Sequence, residues 1–162
     1  MRDRLVAAAA AAFAARGFAS AGVHEICAEA GVTTGALYHH FGGKPGLIRE
    51  VIAREEASLL AVMAQAAAGA APGAKAMRAA LLAGWDLVAE SRRSALLWQP
   101  PPGRSGAIGD FLESLWPWGP DALAPVLLAA WREALREAAE RPEGGARLVL
   151  DGILRGLGGD HG

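Results

Sequence analysis

Three observations predict an all-α fold. Alanine, the strongest helix former, accounts for 38 of the 162 residues. Apolar residues recur at three- and four-residue intervals along most of the chain. Proline and glycine clusters fall between those patterned stretches and separate them into helix-sized segments. At 52% hydrophobic and 20% charged residues the chain has enough apolar surface for a core and too much for disorder.

Residues 2–16 read as an amphipathic helix, with Leu5, Val6, Ala9 and Phe13 on one face and Gly17 at its end. A short helix follows over 22–29, with Val23 and Ile26 inward. Ala30-Gly31-Val32 makes a tight turn, and Thr33 has the hydroxyl to cap a second short helix over 34–40. Gly42-Gly43 breaks it. Pro45 suits the first turn of the next helix, about 45–68, because its missing N–H has no intrahelical partner there. Ala70-Ala71-Pro72-Gly73 is a linker, and 74–91 carries Met77, Leu81, Trp85 and Val88 on one stripe. Pro100-Pro101-Pro102-Gly103 cannot be helical. A short helix over 107–116 ends at Pro117 and Pro120. The broadest stripe is 121–140, with Leu123, Val126, Leu127, Trp131 and Leu135 against Arg132, Glu133, Arg136, Glu137 and Glu140. Pro142 and Gly144-Gly145 precede a last helix over 146–157.

Charge narrows the function classes. The net charge is -1 and the isoelectric point about 6.4, so no global basic footprint advertises a nucleic-acid partner. The distribution is less even: 33–49 carries Lys44, Arg49, His39 and His40 and no acid. No charge-free apolar run reaches the roughly 18–20 residues of a membrane span. Met1-Arg2-Asp3-Arg4 and the alanines after it mimic the start of a signal peptide, but Arg16-Gly17-Phe18 leads into patterned sequence instead of a cleavage site. One cysteine excludes an internal disulfide and a cysteine-rich zinc site. A cytoplasmic protein with no membrane association is expected.

Two short helices joined by Ala30-Gly31-Val32, behind a longer first helix, have the proportions of a helix-turn-helix. Gly31 can take the positive φ such a turn demands. Val23, Ile26 and Leu37 can lock the short helices against Phe13. Thr33, Thr34, Gly35, His39 and His40 are then left outward, able to reach base edges or phosphates, and Tyr38 and Lys44 frame them with further donors.

The string Phe13…Gly17-Phe18…Val23…Ile26…Ala30-Gly31-Val32-Thr33…Gly35-Ala36-Leu37-Tyr38…His40-Phe41…Lys44…Leu47 closely resembles the DNA-binding domain of the TetR family of bacterial transcriptional regulators. The resemblance covers residues 4–52. It implies a DNA-binding domain over 1–50 and a helical ligand-binding and dimerisation domain over 51–162. It also implies that Thr33, Thr34 and Gly35 open the recognition helix in the groove, and that Tyr38, His40 and Lys44 touch the phosphate backbone with His39 nearby. A dimeric, ligand-responsive repressor on a palindromic operator is the function this resemblance implies. Three positions depart from the family pattern. Ala21-Gly22 stands where Thr-Ser or Thr-Thr is common, Cys27 where Ala is usual, and Gly43 where Ser or Asn precedes the lysine.

Elsewhere the reading is negative or open. No nucleophile, base and orienter converge, so no catalytic residue, metal site or cofactor is expected. Asp86, Glu90, Asp110 and Glu113 read as solvated faces. Adjacent His39 and His40 point about 100° apart on a helix and serve one ion poorly. Cys27 reads as a buried thiol. The rival to a DNA-binding regulator is a helical protein-interaction module, against which the acid-free 33–49 stretch weighs. Trp85 and Trp131 fit a core, while Trp98, Trp116 and Trp118 flank the proline breaks and suit a pocket. Trp85, Trp98, Trp116 and Trp118 are thus candidates for binding a small, largely hydrophobic molecule, neutral or weakly anionic, with Asp86 or Gln99 as polar anchor. A homodimer through 121–140 and 146–157 is expected, Gly152 and Gly156 permitting close approach.

Overall fold

The computed structural model describes residues 1–91, 106–141 and 145–157, which form eight α-helices and no strand. They divide into two compact units, one over residues 1–57 and the other over the described residues from 58 onward. The division falls inside a long helix, a few residues beyond the expected boundary at 50.

In the N-terminal unit, α1 (Arg2–Ser20) buries Leu5, Val6, Ala9 and Phe13. Gly17, at φ 76°, kinks α1 but does not end it as expected: one further turn runs on to Ser20 before Ala21 N–H closes on the Gly17 carbonyl at 3.2 Å. α2 (Val23–Ala30) and α3 (Thr34–Phe41) follow, then α4 (Lys44–Ala68). Phe13, Ile26, Leu37, Leu47 and Val51 are each at most 1% exposed and form one cluster, with Val23 packed against it. Burying such side chains stabilises by roughly 1.5–3 kcal/mol each. Across α1 and α4, Arg2 donates to Glu50 at 2.8 Å, and Arg54 pairs with Asp3 at 2.7 Å and Glu50 at 3.1 Å.

The C-terminal unit holds the rest of α4, then α5 (Ala74–Ser91), α6 (Gly106–Leu115), α7 (Leu123–Glu140) and α8 (Ala146–Leu157). Its core joins Leu59, Met63, Met77, Leu81, Leu112, Leu127, Trp131, Leu150 and Leu154. The Trp131 indole N–H donates to the Leu81 carbonyl at 2.8 Å, so its one polar atom is satisfied inside the core. Two ionic rungs tie α5 to α8. Arg78 donates twice to Asp151, at 2.9 and 2.7 Å, and Arg147 grips both oxygens of Asp86 at 2.9 and 3.1 Å. Asp151 is buried and also accepts from Arg155. The hydrogen bonds from Arg78 hold its carboxyl below the ordinary range, against the upward pull of burial, and Arg155 adds to them.

Asp86 is therefore engaged by Arg147 and does not stand open as a ligand anchor. Leu127 lies inside its own unit's core, whereas Val126, Leu148, Val149 and Ile153 are exposed.

Candidate nucleic-acid interface

The helix-turn-helix is built by its turns. Gly31 adopts the left-handed conformation, φ 63° and ψ 42°, where a β-carbon would be strained. Its N–H and that of Val32 close the end of α2 on the Ala28 and Cys27 carbonyls. Thr33 then opens α3: its hydroxyl oxygen accepts from Ala36 N–H at 3.2 Å. Leu37 points into the core while Thr33, Gly35, Tyr38, His39 and His40 are exposed and Thr34 is half-exposed. One eight-residue helix thus presents hydroxyls, imidazoles, a phenol and bare backbone together.

The His39 and His40 rings lie 5.2 Å apart, edge to face, with their planes at 68°. Among the described residues, no group of three or more His, Cys, Asp or Glu side chains is placed to hold a metal ion. Cys27 is buried, and burial pushes its thiol up from the ordinary range.

The exit from α3 is equally specific. Gly42 and Gly43 both take positive φ, 68° and 121°, and the Tyr38 ring lies against Gly43. Gly46, in the first turn of α4, passes so close to the Phe41 carbonyl that a β-carbon there would sit 1.7 Å from its oxygen. Sequence reasoning missed Gly46, because a contact between a helix turn and the preceding helix end leaves no periodic signal. Lys44 is half-buried, and its ammonium donates to the Ala19 carbonyl at 3.1 Å and sits 4.6 Å above the Phe18 ring.

The tryptophans divide. Trp85 is 4% exposed, a core residue as its helical stripe requires, and stands apart from the two clefts described below. Trp118 is 71% exposed and is likewise outside both of those clefts. Trp98, with Gln99, lies outside the described residues. Trp116 lines a cleft of about 340 Å³ with Met77, Pro117, Pro120 and Leu123, where the carboxylates of Glu113 and Asp121 are also present. A second cleft of about 390 Å³ is walled by alanines 64, 67 and 76 with Pro72, Phe111 and Leu115.

Residues 5–51 match the profile of the bacterial regulatory proteins of the tetR family. The N-terminal domain belongs to the TetR family. The HTH-type transcriptional repressor KstR2 of Mycolicibacterium smegmatis is 43% identical over 51 residues, 32% of this chain and 25% of its own length. The HTH-type transcriptional activator FasR of the same organism is 34% identical over 87 residues, 54% of this chain and 40% of its own. The matched stretch is thus a quarter to two fifths of these relatives. A TetR-like transcriptional regulator from Rhodococcus sp. RHA1 superposes with a TM-score of 0.71 over 98% of this chain and 96% of its own, at 22% identity, a likeness of fold.

Within this TetR-type domain the departure at Ala21-Gly22 has a visible effect. Gly22 caps α2 with no side-chain hydrogen bond, and Glu25 curls back beside it to pair with Arg16 at 3.3 Å. Where the family commonly sets a hydroxyl, this chain sets a bare backbone and a nearby carboxylate.

Proposed function

We propose that the chain is a transcriptional regulator that binds duplex DNA as a homodimer and releases it when a small molecule occupies the C-terminal unit. The observation that carries this reading is α3: a Thr33-capped helix held by Leu37, with Thr33, Thr34, Gly35, Tyr38, His39 and His40 turned outward in a segment without acids. Thr34 and Gly35 suit base edges at the groove. Tyr38, His39 and His40 suit phosphate oxygens. A single head reads few bases, so two heads on a palindrome, one helical turn or a multiple apart, supply affinity.

The second head is supplied through α7 and α8. Leu148, Val149 and Ile153 are exposed on α8, Val126 on α7, and a β-carbon on Gly152 or Gly156 would meet nothing within 4 Å. A face of that kind on a short terminal helix fits a partner copy, closing a four-helix bundle. Residues 1–50 then serve DNA and 51–162 serve ligand and dimer, in a cytoplasmic repressor.

The Trp116 cleft is one candidate ligand site. Its two carboxylates turn the expected ligand from neutral or weakly anionic toward neutral or cationic, and Trp116 offers an aromatic face to either. Ligand acts by favouring one spacing of the two heads. Selection of bound duplexes from a random pool, followed by titration at several salt concentrations, tests the reading: affinity falls steeply with salt and the selected sequences are two-fold symmetric. Salt-insensitive or absent binding overturns it.

A further inference from the structure

Two imidazoles end the recognition helix without an anion beside them. His39 and His40 are exposed in the last turn of α3, and their rings meet edge to face at 5.2 Å. Phe41 is the next ring, 6.2 Å from His40. Among the described residues no carboxylate pairs with either histidine.

The carboxylates of the elements around α3 have arginines of their own. On α2, Glu25 pairs with Arg16 at 3.3 Å, and Glu29 borders a groove that Arg4 also lines. On α4, Glu50 pairs with Arg2 and Arg54, and Asp3 of α1 pairs with Arg54. Arg2 lies 5.6 Å above the Phe41 ring, next to His40 in the chain. Apart from the buried Cys27, the other groups of α2, α3 and the first turns of α4 that titrate or carry charge are His24, Tyr38, Lys44 and Arg49. These are donors and cations.

Histidine is the side chain whose charge changes between pH 5 and 8. In the free chain two influences oppose each other on a protonated pair. The carbonyl end of α3 favours a cation. Each imidazolium disfavours the other across so short a gap, and Arg2 adds to the repulsion. The missing element is negative charge, and a duplex carries one phosphate for about every 1.7 Å of its axis.

We infer that the proton is a co-ligand of the duplex: His39 and His40 meet phosphate oxygens in protonated form, and each head that binds takes up a proton from solvent onto an imidazole nitrogen. The inference rests on the DNA-binding reading and adds to it a dependence on pH that Thr33, Thr34 and Gly35, which do not titrate, cannot produce.

The test is titration of the intact chain against a duplex selected from a random pool, at pH 6, 7 and 8 and several salt concentrations, with circular dichroism showing the same fold throughout. Kd falls about tenfold or more from pH 8 to pH 6, because a proton bound more tightly in the complex favours the complex as pH drops. The salt dependence at pH 6 is steeper by about one phosphate contact for each head engaged. Calorimetry in two buffers of different ionisation enthalpy counts the same protons directly. His39→Gln combined with His40→Gln keeps hydrogen-bonding side chains that do not titrate, and its Kd stays level over this range. Where that double variant binds too weakly to titrate, each single variant shows a smaller pH dependence than the wild type. His24→Gln, at the exposed histidine of α2, leaves the wild-type dependence in place. A wild-type Kd that is level from pH 8 to pH 6, or a salt slope that does not change with pH, overturns the inference and leaves the DNA-binding reading standing. A pH dependence that survives loss of both imidazoles, or that disappears in His24→Gln, assigns the proton elsewhere and also overturns it. Absence of binding at every pH and salt removes the DNA-binding reading, and the inference falls with it.

Discussion

In the N-terminal unit the turns are made by particular residues in particular conformations; in the C-terminal unit most of the packing is by apolar side chains of interchangeable kind, with two ion pairs between α5 and α8 as the specific ties. Gly31 at φ 63°, Thr33 with its hydroxyl on Ala36 N–H and Gly46 against the Phe41 carbonyl each have one workable residue type or a very few. Beyond residue 57 the core is a succession of leucines, methionines and tryptophans whose volumes matter more than their identities. A surface that must match a rigid duplex needs a fixed backbone. A unit proposed to accommodate a small molecule and a second copy would need apolar area and room to adjust.

The sharpest way to break that comparison is Gly46→Ala. With the β-carbon 1.7 Å from a carbonyl oxygen the backbone must move, at a cost of about 3 kcal/mol or more. Urea unfolding followed by amide exchange should show protection lost over residues 1–57 and kept in α7 and α8. Survival of the N-terminal core would mean that its turns are less exacting than described.

Buried Leu127 on α7, set against exposed Val126 beside it and Ile153 on α8, gives the next largest effects and separates fold from assembly. Leu127→Ala empties a core position and should lower stability by about 2–5 kcal/mol. Ile153→Glu on α8, or Val126→Glu on α7, changes only an exposed position and should leave the far-ultraviolet spectrum intact while light scattering falls to the mass of one chain. If Ile153→Glu remains dimeric, the exposed face of α8 is not the contact between copies.

A smaller effect follows from Asp151. Its carboxyl is held below the ordinary range when folded, so its stabilising contribution is complete above the unfolded carboxyl value and is lost as pH falls through the folded one. The C-terminal unit should therefore weaken only below about pH 4 on account of this group, the ordinary carboxylate range, and hold level from pH 5 to 8. Asp151→Asn should remove that acid limb, and a limb of unchanged steepness would assign it to other carboxylates. The smallest effect is Gly22→Ser, which adds the missing cap to α2 and should raise the melting temperature slightly, by a few tenths of a kcal/mol in stability.

What the sequence disclosed follows the same division. Thr33, Gly31 and the Leu37 side of α3 were legible because caps, left-handed turns and helical period act over a few residues. Helix limits were legible to within a residue or two at most proline and glycine breaks, but not at Gly17, which kinks α1 without ending it. The hold of Lys44 on Ala19 and Phe18, twenty-five residues away, was not, because nothing local distinguishes an ammonium that turns back from one that faces a phosphate. Trp85, Trp116 and Trp118 were similarly hard to separate: the first sits in a regular stripe and is core, while the other two lie in one turn and differ only in which way the chain bends there.

The rungs between α5 and α8 bear on a different hazard, the sliding of one helix along another. Leu150 and Leu154 are one turn apart and chemically identical, so a slip of α8 by four residues would still seat one leucine in the place of the other, leaving Ala146 or Gly158 for the second place. The charges do not tolerate that exchange. Moved one turn either way, α8 brings Arg147 or Arg155 opposite Arg78 in place of Asp151, setting guanidinium against guanidinium beside a core. The alternation of sign along α8 thus acts as a proofreader of register, adding a charge penalty to both neighbouring alignments in which one leucine would still find a buried place.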